Sequence, residues 1–109
     1  MQGVYLKFYV TEHKEHGGIL LFEWLLEQAK KCGFHGGTAL RAEAGFGRHG
    51  KLHEETFFEL AAELPVEVSF VVSKEEAERF LALLKTERLE LFYVRFPVEY
   101  GILPATDAT

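Results

Sequence analysis

The stretch Ala44–Glu55, AGFGRHGKLHEE, concentrates the residues of this chain that could do chemistry. Gly45, Gly47 and Gly50 stand in a G-x-G-x-x-G spacing, with Arg48 inside it and Lys51 directly after it. Consecutive backbone N–H groups in such a turn form an anion-binding nest. Cationic side chains beside that nest, in a chain of formal net charge −5, point to a bound phosphate. The rival reading is that the glycines only relax the backbone at a strand exit. A dinucleotide fingerprint needs the same spacing between the first strand and a helix, within a parallel β-α-β unit. Here the glycines follow the second strand, and the first strand-to-helix turn reads TEHKEHGGI, so that fingerprint is excluded.

The histidines offer a second chemistry. His49 and His53 are four apart; on a helix they share a face, and with Glu54 or Glu55 they could hold a divalent metal. His13 and His16 form another close pair. Catalysis needs a nucleophile with a base, or two matched carboxylates. Ser69 and Ser73 have no partner in the sequence pattern, and Cys32 reads as a small buried residue near a helix end. His53 with Glu54 is a generic acid–base pair. The expectation is a chain that is not an enzyme, with a small nucleotide-acting enzyme as the remaining alternative.

These residues must be positioned by a short series of elements. VYLKFYV alternates as a strand, Val4, Leu6, Phe8 and Val10 on one face and Tyr5, Lys7 and Tyr9 on the other. A helix is expected from about Gly18 to Cys32, carried by Phe22, Leu25, Leu26, Ala29 and Cys32 and stopped by Gly33. GGTALRAEA reads as a strand with Thr38, Leu40, Ala42 and Ala44 on one side. PVEVSFVV is a third strand; Ser73 and Glu76 form a capping box for a helix built on Ala77, Phe80, Leu81 and Leu84. LELFYVRF is a last strand grouping Phe92, Val94 and Phe96, ended by Pro97. Over Lys51–Leu64, helical spacing (Phe57, Leu60, Ala61, Leu64) fits, and extended spacing (Leu52, Thr56, Phe58, Leu60) fits almost as well, so both readings stay open.

The sum is a ferredoxin-like β-α-β-β-α-β arrangement of the α+β class, one domain over residues 1–109 with a tail from about 103. Both helices should cover one sheet face. The other is expected to carry Tyr5, Lys7, Tyr9, Arg41, Glu43, Glu67, Ser69, Tyr93 and Arg95, and a face so aromatic with no third layer predicts self-association through the sheet.

The acidic balance, 17 acidic against 12 basic residues, argues against nucleic acid as partner. A single cysteine excludes an internal disulfide. The N-terminus lacks a basic, then apolar, leader and apolar runs such as Ile19–Phe22 are far too short for a bilayer, so a soluble cytoplasmic protein is expected. Absence of Asn and scarcity of Gln, Met and Cys fit a thermophilic source, or a GC-rich genome.

GFGRHG resembles the GFGR turn at the base of the T-loop in PII signal-transduction proteins. CGFHGGTALRAEAGFG and LPVEVSFVV resemble their neighbouring strands. Closer still is a short PII-like family of uncharacterised prokaryotic proteins. Gly36-Gly37-Thr38, Arg41, Gly45-Phe46-Gly47, Leu52-His53 and Glu63-Leu64-Pro65-Val66 match its recurring features in order. The resemblance runs from Val4 to about Val98. It implies a homotrimer with ligand sites between subunits, an adenine nucleotide as ligand, and Gly37, Thr38, Gly45, Phe46, Gly47, Arg48 and His49 as binding residues. The phosphate-gripping second glycine loop of PII proteins is missing here, where only KTERLE follows the second helix, which favours AMP or ADP over ATP. The T-loop of PII proteins is longer and carries a modifiable tyrosine, which this insertion lacks. PII relatives regulate membrane transporters or channels, which implies such a partner for the 45–64 loop. Cation-tolerance proteins share the trimeric architecture, so a metal-binding trimer using His49 and His53 stays open.

Overall fold

A computed structural model describes residues 1–46 and 64–104. Among the described residues the elements follow in the order β1 (Gln2–Thr11), β2 (Glu15–His16), β3 (Ile19–Leu20), α1 (Leu21–Lys31), β4 (Thr38–Arg41), β5 (Pro65–Val72), α2 (Lys74–Thr86) and β6 (Phe92–Glu99). The main sheet has the order β4-β5-β1-β6, antiparallel throughout, which is the split β-α-β arrangement expected. β2 and β3 form a separate small ribbon, and α1 starts after it, at Leu21 rather than Gly18. Whether residues 51–63 are helical or extended lies outside the described residues, as does the tail beyond Pro104.

The core follows from alternation on β1 and β5 meeting the apolar stripes of the helices. Val4, Leu6, Phe8 and Val10 of β1 and Val66, Val68, Phe70 and Val72 of β5 are buried against Leu21, Leu25 and Ala29 of α1 and Ala77, Phe80 and Leu84 of α2. The capping box closes the start of α2: the Ser73 hydroxyl accepts from the Glu76 N–H at 3.0 Å, and the Glu76 carboxylate accepts from the Ser73 N–H at 2.8 Å.

The two helix ends differ. At α1, Gly33 has φ 89°, its N–H donates to Lys30 O, and the Phe34 N–H donates to Ala29 O, a full Schellman closure that tucks Phe34 into the core. Cys32, the C-cap, is exposed; its expected burial is corrected, because it stands at the end of α1, past Ala29, the last residue of the helix to be buried. At α2 the equivalent left-handed position is Arg88, with φ 58°. A side chain there costs what glycine does not. Arg88→Gly should raise stability by about 0.5–1 kcal/mol after its larger unfolded-state entropy is deducted, read as a rise of a few degrees in melting temperature.

Both edge strands depart from expectation by one residue of facing. Thr38 pairs with Ser69 and Leu40 with Glu67, so they lie on the helix-free face, whereas Ala39 and Arg41, opposite Val68 and Val66, lie on the helix face. Leu40 is 62% exposed. On β6, Phe92, Val94 and Phe96 do stand together, but opposite Tyr9, Lys7 and Tyr5, on the helix-free face. Tyr93 packs 6.1 Å from the Phe8 ring and Arg95 reaches Glu78 of α2 at 3.2 Å, both on the helix side. Edge strands extend past the helical cover, so polar side chains are tolerated on their inner face. β6 also runs through Pro97 rather than ending there. Met1 and Tyr100 exchange both backbone hydrogen bonds, so counting inward puts Val4 and Pro97 in a non-hydrogen-bonded pair. The nitrogen of Pro97 therefore faces the open edge, where no donor is required.

Candidate functional site

The expected site residues are strung along the edge strand β4. Gly37 and Thr38 stand at its start and Gly45 and Phe46 beyond its end; Gly47, Arg48, His49 and His53 lie outside the described residues. Thr38 is level with Ser69, and Gly45 lies against Pro65. Four residues of β5 separate these levels, roughly 13 Å. Within the chain the two ends of the expected site are thus apart, and the strand itself is the bridge between them.

Each described glycine of the site has a packing cause. A Cβ on Gly37 would stand 2.5 Å from Phe70 Cε1 and 3.1 Å from Leu26 Cδ2. The close approach shapes a shallow cleft of about 360 Å³ lined by Leu26, Ala29, Lys30, Phe34, Gly37 and Phe70, among others. Gly37→Ala should cost about 1–3 kcal/mol by overpacking, measured by urea denaturation, whereas Gly36→Ala, which meets nothing within 4 Å, should be nearly neutral. Gly45 is not in the left-handed region occupied by Gly17, Gly18 and Gly33. Its constraint is the 3.2 Å approach of a Cβ to Pro65 Cγ. Phe46 is 83% exposed, an apolar ring offered to solvent or to a neighbour.

The root of the 45–64 segment is stitched to the sheet. The Ala42 N–H donates to Pro65 O at 2.8 Å and the Glu12 N–H to Leu64 O at 3.1 Å. Arg41 Nε lies 3.0 Å from Glu12 Oε2. Sequence pattern places Arg41 on the opposite face, and nothing local links it to Glu12; only the β4–β5–β1 register brings them together.

The helix-free face is chemically distinct. Lys7 Nζ sits 2.9 Å from Glu67 Oε1 and 5.6 and 5.7 Å from the Tyr5 and Tyr9 ring centroids. The hydrogen bond to Glu67 raises the Lys7 pKa above its ordinary 10.5, with burial opposing and the Tyr5, Glu67 and Tyr9 fields adding. Tyr5–Phe96 and Tyr9–Phe92 ring pairs at 5.1 and 5.6 Å flank it.

Of the other histidines, His13 is exposed. His16 is held by Glu87 at 3.0 Å and by the edge of Trp24, 4.6 Å between centroids, tying the small ribbon to the end of α2. Among the described residues no group of three or more His, Cys, Asp or Glu is arranged to hold a metal. No described helix is long and apolar enough to cross a membrane.

Comparison with known proteins agrees with this architecture. A UPF0166 protein of Aquifex aeolicus (strain VF5) is 34% identical over 80 residues, 73% of this chain and 76% of the relative. A PII-like signalling protein from Thermus thermophilus superposes with TM-score 0.58 at 17% identity, over 90% of this chain and 87% of its own. CPII, a nitrogen regulatory PII-like protein from Thiomonas intermedia K12 whose structure holds ADP, AMP and bicarbonate, superposes with TM-score 0.63 at 16% identity, over 94% and 91%. With residues 3–97 matching the family described as an uncharacterized ACR, the chain belongs to the DUF190 family, and its fold is that of PII-like proteins.

Proposed function

We propose that this chain is a non-enzymatic PII-like regulatory protein that binds an adenine nucleotide, AMP or ADP in preference to ATP, in clefts between the subunits of a homotrimer. The observation that carries this is the PII-like fold over 94% of the chain, shared with a protein whose structure holds ADP and AMP. The lining is Gly37, Thr38, Gly45, Phe46, Gly47, Arg48 and His49. The base lies near the start of β4, and the glycine turn with Arg48 receives the phosphate through backbone N–H groups. The separation of the two ends along β4 suits an extended ligand lying on the edge strand. The trimer forms through the helix-free face, whose aromatic cover exceeds what the sequence pattern places there.

Occupancy of the cleft sets the surface that the 45–64 segment presents to a partner, by preferential binding to one conformation. A membrane transporter or channel is the partner class, and the setting is cytoplasmic. Calorimetric titration with AMP, ADP, ATP and divalent metals tests the reading. AMP and ADP are expected to bind more tightly than ATP, and Arg48→Ala to weaken AMP binding by roughly tenfold or more through loss of a charge-assisted contact. Stabilisation by divalent metals alone, abolished in His49→Ala, would overturn it in favour of a metal-binding trimer.

A further inference from the structure

We infer that Arg41 contacts the anionic group of the ligand and that Glu12 is the positioning residue that aims it; this rests on the nucleotide reading above. Arg41 is the last residue of β4 and 59% exposed at its side chain, whereas the Glu12 side chain is only 18% exposed. Glu12 takes the Nε–H edge of the guanidinium through Oε2. A guanidinium carries five N–H donors in a rigid fork, so a tether through Nε leaves the outer edge, made by one N–H of each terminal nitrogen, turned from the carboxylate, a geometry matched to a phosphate or carboxylate.

The location fits. The backbone bonds Ala42 to Pro65 and Glu12 to Leu64 bring Arg41, Glu12 and Pro65 to one end of the sheet, and the Gly45 backbone packs on that same Pro65. The guanidinium therefore stands at the root of the glycine turn, on a strand rather than on a loop.

A pair built for stability would match both carboxylate oxygens to the fork. Instead Glu12 Oε1 is buried with no hydrogen-bond partner among the described residues, an arrangement that costs stability. What the arrangement does provide is orientation. Glu12 partly neutralises Arg41, weakening it as a long-range attractor, yet it removes the side-chain freedom that a ligand contact would otherwise have to overcome.

Calorimetric titration of the full chain with AMP and with pyrophosphate tests the inference. Arg41→Lys keeps the charge and loses the fork and the Nε tether; it is expected to lower AMP affinity roughly tenfold or more, as is Arg41→Gln. The Glu12 carboxylate, 18% exposed, loses a partner in these variants, so the melting temperature of the ligand-free protein is expected to fall by several degrees, and each titration is run well below the variant's own transition. Glu12→Leu, which removes the acceptor from Nε, should give a similar loss. The double variant Glu12→Leu/Arg41→Lys should bind no worse than the weaker single one, because both changes remove one unit. Wild-type AMP affinity in Arg41→Lys and Arg41→Gln would overturn the inference and leave the nucleotide reading standing, as would losses that simply add. A wild-type protein that binds neither AMP nor pyrophosphate would overturn both.

Discussion

Phe8→Ala should destabilise the protein by about 3–5 kcal/mol, the range for removing a fully buried ring. Phe8 is completely buried on the central strand β1. Its ring meets Phe70 of β5 at 6.4 Å, Phe80 of α2 at 5.9 Å and Tyr93 of β6 at 6.1 Å. Phe80 and Phe70 in turn meet Phe34, behind the end of α1, at 5.1 and 5.3 Å. One truncation thus opens a hole where three strands and α2 converge, with rings on every side that cannot collapse without leaving their rotamers. For a chain of this size the melting temperature should fall by roughly 15 °C or more. Phe46→Ala, which removes an equal ring from an 83% exposed position, should stay within about 0.5 kcal/mol of wild type. Both are measured at one protein concentration, since the proposed assembly would add concentration-dependent stability. Equal effects of the two truncations would contradict the core as described.

The contrast between these two phenylalanines shows what sequence pattern can convey. Alternation identifies the buried faces of β1 and β5 because both strands are central: one side is sealed by helices, so every second residue must be apolar. The Ser73–Glu76 box is equally legible, being a contact within one turn. β4 and β6 depart by one residue of facing because the inner face of an edge strand is only partly covered, so no strict alternation is imposed on it. Leu40, Phe92 and Phe96 carry apolar character outward, where the pattern alone points it inward. The glycine turn is visible as a motif, and its match to the PII-like pattern gives the fold. The cause of Gly37 is not visible, since it depends on Phe70, 33 positions away. Nor is the Glu12–Arg41 pair, which exists only once the sheet order is known.

That outward facing is what gives Phe96→Asp its large expected effect: the proposed trimer should dissociate to folded monomers. Phe96 is 48% exposed in the single subunit and stacks 5.1 Å from Tyr5 on the helix-free face. With Tyr9, Phe92, Val94, Val71 and Leu40 it makes a band across all four strands, larger than a face that merely tolerates water needs. Lys7 and Glu67, paired amid that band, let the face be buried without stranding a charge. A carboxylate introduced at position 96 would have no such partner, and burying it costs several kcal/mol. At a symmetric interface the cost recurs in every subunit. Light scattering should report a shift from trimer to monomer mass, with an unchanged far-ultraviolet circular dichroism spectrum, because position 96 contributes nothing to the helix-side core. Since the proposed cleft is completed by a neighbouring subunit, the same variant should lose AMP binding although no cleft residue has changed. A wild-type protein that is already monomeric, or a Phe96→Asp protein that keeps its mass, would remove the sheet face as the assembly surface.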